Sequence, residues 1–225
     1  MAETPGPVIT IDGPSGVGKS TISRRVAAHY GFTYLDTGAM YRAVAWYLLK
    51  HGIDIEDVSA VESVLDQISI TLIPAEQEDD DVGVLVNGED ISEQIRTPDI
   101  SMVASTVSAL PAVRTKLTAL QRQLGSQGRV VAEGRDTGTV VFPGATSKFY
   151  LDATPEARTA RRAQQLRERG KPVDEEQLLE MTIARDRQDS ERPIAPLQKA
   201  DDAKLIDTTD LNVDQVFEAI RAWMD

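Results

Sequence analysis

The sequence of 225 residues contains no cysteine, only 5% aromatic residues, and no apolar run of the length that crosses a bilayer. Without cysteine there are no disulfide bonds and no thiol chemistry, which favours a cytoplasmic protein. A membrane-spanning helix needs about 20 predominantly apolar residues, so no membrane partner is expected. The first seven residues lack a basic segment followed by an apolar one, so no signal peptide is expected there.

Basic residues are also scarce, because 24 Lys and Arg stand against 36 Asp and Glu, and the formal net charge is −12. Such a surface repels nucleic acid, so no nucleic-acid partner is predicted. A small anionic ligand must therefore be met by a local cluster of basic residues. The length suits one large domain, or one domain with an insert.

The segment Val8–Thr21 carries the most specific motif in the chain, G-x-x-x-x-G-K-S, over Gly13–Ser20. Val8–Ile11 is a short β-branched run typical of a buried strand. Apolar residues spaced four apart after Lys19 predict a helix that stops at Gly31. Strand, glycine-rich loop and helix in this order indicate a loop that binds nucleotide phosphates, and a chance glycine-rich turn is the alternative.

The chemistry of phosphate binding explains the residue types in this loop. Gly13, Gly16 and Gly18 permit positive φ, so that successive N–H groups can form a cradle for an anion. The N-terminus of the following helix adds partial positive charge. Lys19 is predicted to reach the β- and γ-phosphates, and Ser20 to place its hydroxyl on Mg²⁺.

The rest of the chain mostly alternates between predicted strands and predicted helices. Asn87-Gly88 is a strong hairpin signal, so about residues 69 to 91 are predicted to form a small antiparallel insert. The other predicted strands are Phe32–Leu35, Ser69–Ile73, Val82–Val86, Arg129–Ala132, Ser147–Leu151 and Lys204–Ile206. The other predicted helices begin at Asp36 or Thr37, Asp57, Pro98, Pro111, Thr154, Asp174 and Asn212.

Charged residues follow the predicted strand Arg129–Ala132, in the run Glu133–Thr139. In open α/β sheets ligands bind beyond the carboxyl ends of strands, so this run falls where a site is expected. Glu133 or Asp136 could hold the hydration shell of Mg²⁺. Alternatively, Arg135 and Asp136 pair with each other.

Arginines are dense in the predicted helix that begins at Thr154, in a chain that is otherwise acidic. Arg158, Arg161 and Arg162 lie within one turn and can share a face. Guanidinium groups match phosphate geometry, so this face is predicted to meet phosphate. A solvated helix with internal ion pairs is the alternative.

Arg185, Asp189 and Arg192 also share a face, because they stand at i, i+4 and i+7 of one predicted helix. This polar stripe could face a ligand, or it could be a ladder of surface ion pairs. Tyr41 and Arg42 are, by themselves, typical of a core tyrosine and a solvated arginine.

These stretches together resemble the bacterial cytidylate kinases, in the nucleoside monophosphate kinase group. The matching stretches are ITIDGPSGVGKST (9–21), LDTGAMYR (35–42), VNGEDISEQIRTPDIS (86–101), EGRDTGTVVFP (133–143), the arginine-rich helix after LDAT, and RDRQDSERPIAPL (185–197). They run in order along nearly the whole chain. The hairpin-bearing insert between about 63 and 98 also resembles the substrate-side insert of this family.

The resemblance implies that ATP donates its γ-phosphoryl group to CMP or dCMP, with Mg²⁺ as cofactor and Ser20 as its ligand. The implied catalytic residues are Lys19, Arg158, Arg161 and Arg162, with the three arginines in a lid. The implied ATP-binding residues are Gly13, Pro14, Ser15, Gly16, Val17, Gly18, Lys19, Ser20 and Thr21. The implied CMP-binding residues are Thr37, Tyr41, Arg42, Ser105, Arg114, Arg135, Asp136, Arg185, Asp189 and Arg192.

Roles within the CMP set also follow from the resemblance. The residues implied for the acceptor phosphate are Arg42, Arg135 and Arg192. Those implied for cytosine are Ser105, Arg114 and Asp136, and those for ribose are Arg185 and Asp189. Cytosine donates from N4 and accepts at N3 and O2, so a carboxylate with an arginine and a hydroxyl suits it.

The sequence departs from the expected family pattern at two positions. Ser20 stands where many relatives have Gly, so a direct contact with Mg²⁺ is available. Glu133 stands where an Asp is expected, which leaves its role toward Mg²⁺ open.

The expected architecture is a single P-loop kinase domain over residues 1–225, with a parallel sheet flanked by helices. Its expected parts are a core (about 6–36, 128–153 and 203–225), a monophosphate-binding region with the β insert (about 37–127) and a helical lid (about 154–192). A monomer is expected. Two alternatives stay open, which are a kinase for another small metabolite and a non-catalytic nucleotide sensor.

Overall fold

The computed structural model describes residues 6–75, 80–168 and 170–225. In chain order the strands are β1 Val8–Asp12, β2 Thr33–Asp36, β3 Ile70–Ile73, β4 Gly83–Val86, β5 Glu89–Asp90, β6 Val130–Gly134, β7 Ser147–Asp152 and β8 Lys204–Asp207. The helices are α1 Lys19–Tyr30, α2 Thr37–Lys50, α3 Val58–Leu65, α4 Pro98–Val107, α5 Pro111–Leu124, α6 Pro155–Glu168, α7 Glu175–Glu191 and α8 Val213–Met224.

The main sheet has five parallel strands in the order β2-β6-β1-β7-β8. Its register sets Asp12 opposite Gly134, and Asp36 opposite Glu133. The carboxyl ends of β1, β2 and β6 therefore lie side by side. This edge of the sheet is where ligands bind in open α/β folds.

Helices cover both faces of this sheet, as the near-continuous apolar strands require. On one face α1 and α8 bury residues such as Val26 and Ile220 against β1 and β7. On the other face α2, α4 and α5 form a second core with the insert. Successive residues of β6 alternate between the two, because Val131 belongs to the first core and Ala132 to the second.

The insert is a three-stranded antiparallel sheet in the order β3-β4-β5. Asn87 and Gly88 have positive φ values of 52° and 84°, as the two central residues of a type I′ hairpin turn require. The predicted parallel sheet and the predicted antiparallel insert are both confirmed. The sequence has a short acidic run, Glu76–Asp81, which is typical of a solvated loop. Its residues 76–79 lie outside the described residues, whereas Asp81 pairs with Arg24 of α1 and with Arg96.

The predicted helices are present, with ends up to three residues shorter than the pattern predicted. Asp36 caps α2 by accepting from the Ala39 N–H at 2.8 Å. Asn212 and Gln215 form the predicted reciprocal cap of α8. In the part of the chain that the structure describes, no helix has both the length and the apolar character needed to span a bilayer.

Two short helical segments were not predicted from the sequence. Gln94–Arg96 forms a 3₁₀ turn, and Thr137–Val141 forms a π-helical turn directly after β6. The second segment is too short for an amphipathic period to predict it. Its first N–H groups donate to Asp12, which lies far away in the sequence and gives no local signal.

Candidate active site

The glycine-rich loop between β1 and α1 has the backbone that phosphate binding requires. Gly13, Gly16 and Gly18 have φ values of 148°, 77° and 96°. The Lys19 ammonium donates to the Pro14 carbonyl at 2.7 Å, within the same loop. The described loop therefore combines left-handed glycines, a helix N-terminus and a buried lysine, as the motif predicted.

Two arginines from the helices after β7 reach this loop. Arg158 of α6 donates from Nη1 to the Ser15 carbonyl at 3.0 Å, and it also pairs with Asp186 of α7. Arg185 of α7 donates to the Ser15 hydroxyl at 3.2 Å. The α6–α7 pair thus contacts the glycine-rich loop Gly13–Gly18 through cationic side chains. We call this segment the phosphate loop.

Positive charge is crowded at this place. Burial lowers the pKa of Lys19 well below its usual value, and the neighbouring Arg135 lowers it further. Burial and Arg135 also lower the pKa of Arg185, to about 10. An anion among these groups would relieve both the desolvation and the mutual repulsion, so the site is suited to phosphate.

Ser20 and Glu133 contact each other across the ends of α1 and β6. The Ser20 hydroxyl donates to Glu133 Oε1 at 2.8 Å, and the Tyr34 hydroxyl also lies within reach of this buried carboxylate. Burial raises the pKa of Glu133, and the nearby Asp36 adds to this effect. A hydroxyl and a carboxylate oxygen are hard ligands that fit Mg²⁺.

The described ranges bring no three His, Asp or Glu side chains together as a set of metal ligands. This agrees with the usual Mg²⁺ chemistry, in which one or two protein oxygens are supplemented by substrate phosphates and water. The residues present therefore fit a magnesium ion that arrives with a nucleotide.

Beyond β6, Asp136 is held by two arginines and not by its neighbour Arg135. Arg114 of α5 pairs with Oδ2, and Arg192 donates to Oδ1 at 3.2 Å. All three side chains are buried. The predicted alternative of an Arg135–Asp136 pair is therefore wrong, because the guanidinium groups that hold Asp136 come from Arg114 and Arg192.

Arg135 pairs instead with Asp189 of α7, at 2.9 Å between Nε and Oδ2. The other Asp189 oxygen accepts from the Ser105 hydroxyl of α4, also at 2.9 Å. Burial acts to raise the pKa of Asp189, but Arg135 and Arg185 outweigh it, so the pKa is lowered. The stripe of Arg185, Asp189 and Arg192 thus faces inward and is not a surface ladder.

Ser108, which ends α4, was not predicted from the sequence. Its hydroxyl accepts from Arg192 Nη1 at 3.0 Å and donates to the Ser105 carbonyl at 2.7 Å. Its own carbonyl accepts from Arg114 Nη1 at 3.1 Å. Its signal was its place three residues after Ser105, on the same side of α4. We call Ser108, Arg114, Asp136 and Arg192 the Asp136 cluster.

The carboxyl end of β2 supplies further predicted residues. Arg42 pairs with Asp36 at 2.9 Å, and the Thr37 hydroxyl donates to the Glu133 carbonyl at 2.6 Å. Tyr41 is buried, and the Arg114 guanidinium lies 5.7 Å from its ring centroid. Arg42 is therefore tied to the sheet edge beside β6, and Tyr41 supports the Asp136 cluster from the core.

The predicted shared face of the α6 arginines is divided. Arg158 alone of the three contacts the phosphate loop in the described hydrogen bonds. Arg161 donates to the Thr208 hydroxyl and the Thr209 carbonyl, both at 3.2 Å, and so holds the segment after β8. Arg162 donates to Gln165 on its own helix. In the loop itself, Val17 is a core residue and Thr21 is exposed.

Known proteins are similar to this sequence over nearly its whole length. The family model described as cytidylate kinase matches residues 9–225. The chain belongs to the cytidylate kinase family. A cytidylate kinase of Syntrophotalea carbinolica is 50% identical over 94% of this chain and 88% of its own length. One of Carboxydothermus hydrogenoformans is 46% identical over 92% of each chain.

Similarity to solved structures is weaker. A gluconokinase from Sinorhizobium meliloti is 14% identical with a TM-score of 0.49, over 97% of this chain and 90% of that one. A shikimate kinase from Bacteroides thetaiotaomicron is 11% identical with a TM-score of 0.49, over 97% and 98%.

Within the cytidylate kinase family, this chain was expected to depart from the pattern at Ser20 and Glu133. The structure shows that these two residues contact each other. The two positions at which a departure was expected therefore form one local contact, between a hydroxyl on α1 and a carboxylate on β6.

Proposed function

We propose that this protein transfers the γ-phosphoryl group of ATP to CMP or dCMP, giving ADP and CDP or dCDP. The observation that carries the proposal is Asp136, a buried carboxylate fixed by Arg114 and Arg192 at the sheet edge beside the phosphate loop. Family membership supports it. Membership of the cytidylate kinase family also disfavours a kinase for another small metabolite.

The Asp136 cluster suits the edge of cytosine. Asp136 would accept from the N4 amino group, while Arg114 and Ser105 would donate to N3 and O2, the Ser105 hydroxyl turning from Asp189 to the base. Uracil carries a carbonyl at the position of the amino group, so it would face a carboxylate and leave a buried group unpaired. The arginines keep Asp136 oriented for this contact. Arg192 makes three hydrogen bonds here, so we assign it to orienting Asp136 in place of binding the acceptor phosphate.

The phosphates would lie between the glycine loop and the sheet edge. The loop amides and Lys19 would bind those of ATP, with Arg158 above them. Arg42 and Arg135 would bind the acceptor phosphate, while Arg185, which contacts Ser15, would lie between the two nucleotides. The contacts of Arg185 and Asp189 with ribose stay predictions.

Transfer passes through a loose, highly charged transition state, so these residues would act by positioning and by charge neutralisation. Ser20 and Glu133 would hold Mg²⁺, which when bound neutralises charge on the β- and γ-phosphate oxygens. We assign Mg²⁺ to Glu133 and not to Asp136, since Asp136 is held by two arginines whereas Glu133 contacts Ser20, the other proposed ligand. No covalent intermediate is needed.

Closure of α6 and α7 over the nucleotides would exclude water and suppress hydrolysis of ATP. The division into core, monophosphate-binding region and lid, the monomeric state and the cytoplasmic location stay predictions. So does the absence of a nucleic-acid partner.

A coupled assay with CMP, dCMP, UMP and AMP tests the proposed activity. We expect kcat/KM for CMP and dCMP to exceed that for UMP and AMP by about 100-fold, the discrimination available when a buried polar group is left unpaired. Asp136→Ala should lower kcat/KM for CMP by about 100-fold and that for UMP by much less. Equal turnover of all four acceptors would refute base recognition. Binding of ATP and CMP without formation of a diphosphate would favour a nucleotide sensor.

A further inference from the structure

Asp12 is a buried carboxylate that none of the proposed binding or transfer steps uses. It is the last residue of β1, and only 4% of its surface is exposed. A carboxylate at such depth must be compensated by hydrogen bonds, because its desolvation is costly. The groups that donate to this carboxylate therefore indicate its structural role.

All the described hydrogen bonds to the Asp12 carboxylate come from one distant turn. Oδ1 accepts from the Thr137 N–H at 2.9 Å and from the Thr137 hydroxyl at 2.8 Å. Oδ2 accepts from the Gly138 N–H at 2.7 Å. These are the first N–H groups of the π-helical turn Thr137–Val141, which have no partner inside the turn. Asp12 therefore caps this turn from another strand.

The two ends of this contact belong to the two sides of the proposed site. Asp12 is followed at once by Gly13, the first glycine of the phosphate loop, and Thr137 is preceded at once by Asp136. The β1–β6 pairing ends at Asp12 opposite Gly134, so the strands themselves do not hold residues 135–137. The Asp12 carboxylate therefore joins β1 to Thr137 and Gly138, which lie beyond the last paired residues of the two strands.

There is little free space in which this contact could move. A methyl group added to Gly134 would lie 2.6 Å from the Thr37 hydroxyl and 2.8 Å from Thr137 Cγ2. One added to Gly138 would lie 2.9 Å from the Thr10 hydroxyl. Tightly packed segments transmit displacements and do not absorb them. A shift of the phosphate loop at Asp12 must therefore move the turn that carries Arg135 and Asp136.

We propose that Asp12 is a positioning residue that couples the two nucleotide sides, so that binding of ATP raises the affinity for CMP, and the reverse. This rests on the proposed function, since it takes the two ligands from there. Coupling of this kind is reciprocal for binding affinities. It requires that both ligands bias the same element, here the Asp12–Thr137 contact.

The test measures the affinity for CMP by calorimetry, with and without a saturating non-hydrolysable ATP analogue and Mg²⁺. We expect the wild-type protein to bind CMP at least about fivefold more tightly with the analogue. In Asp12→Asn and Thr137→Val this ratio should fall toward one, while the affinity for the analogue alone changes by less than about twofold. Thr137→Val is included because Asp12→Asn could impair folding.

Two further variants separate coupling from a general loss of structure. Thr137→Ser keeps the hydroxyl that donates to Asp12 and should retain the wild-type ratio. Thr139→Val removes a hydroxyl of the same turn that lies 3.4 Å from the Asp136 carbonyl and does not contact Asp12, so it should also retain the ratio. In hydrogen exchange without ligands, the Thr137 and Gly138 amides should exchange faster in Asp12→Asn than in Thr139→Val.

The outcomes are distinct for the two proposals. An unchanged ratio in Asp12→Asn and Thr137→Val, or no coupling in the wild-type protein, would overturn the role of Asp12 alone. Coupled binding of CMP without phosphoryl transfer would overturn the proposed function alone. Absence of CMP binding in the wild-type protein would overturn both.

Discussion

The ATP side of the proposed site is built largely from backbone, whereas the CMP side is built from paired side chains. The phosphate loop owes its shape to three glycines of positive φ, and the side chain of Lys19 donates to a carbonyl of the same loop. On the CMP side, Asp136 and Asp189 are each held by side chains from two other segments.

This difference follows from what each ligand offers. Phosphate is a compact anion, and a row of amides with a helix N-terminus can bind it without specific side chains. A base is distinguished only by the pattern of its donors and acceptors, so polar side chains must be fixed in place. Because those side chains are buried, each charge needs a partner, and the partners come from distant parts of the chain.

Removal of the Lys19 ammonium should have the largest effect on turnover. We expect Lys19→Ala to lower kcat by about 1,000-fold or more, because a preorganised cation is lost from the transition state. Lys204→Ala is the control, since Lys204 lies at the amino end of β8, the end away from the phosphate loop. Steady-state kinetics and the melting temperature measure both variants. Near-normal turnover of a folded Lys19→Ala protein would contradict the assignment.

A pair of glycine variants tests whether the ATP side depends on backbone. A methyl group on Gly13 would lie 2.1 Å from the Leu151 carbonyl, whereas one on Gly18 would meet no heavy atom within 4 Å. Both residues have positive φ. We expect Gly13→Ala to lower the free energy of unfolding by about 3 kcal/mol or more, and Gly18→Ala by about 1 kcal/mol. Urea denaturation measures both, and equal losses would show that packing at Gly13 is not limiting.

The same contrast explains what could be predicted from the sequence. The strand–loop–helix order around Gly13–Ser20, the sheet and the Asn87-Gly88 hairpin follow from local patterns, and all three structures were predicted correctly. Asp136 was identified from its place after a strand, but its partners were not, because Arg114 and Arg192 are 22 and 56 residues away. The contact of Asp12 with Thr137 spans 125 residues and has no local signal.

Helical spacing also misled at one place. Arg158, Arg161 and Arg162 lie within one turn of α6, yet only Arg158 contacts the phosphate loop in the described hydrogen bonds, because Arg161 is bound to the segment after β8. The helical period shows which residues share a face of the helix. It does not show which part of the molecule that face contacts.

Ser108→Ala should have the smallest effect and tests the CMP side most finely. Loss of the hydroxyl removes one hydrogen bond from Arg192, which should cost about 1 kcal/mol, or about fivefold. Because Ser108 orients the arginines that hold Asp136 and does not itself meet the reacting phosphates, KM for CMP should rise while kcat and KM for ATP stay nearly constant. Steady-state kinetics with each substrate varied in turn measures this division.

The matched control for Ser108 is Ser101→Ala on the same helix, whose hydroxyl donates to the Thr97 carbonyl at 2.9 Å. Both changes remove a hydroxyl from α4 or its end, so a general effect on the helix would appear in both. A rise in KM for CMP with Ser108→Ala alone would show that the CMP side depends on side-chain orientation. An equal fall of kcat in both variants would instead mean that α4 acts only as scaffold.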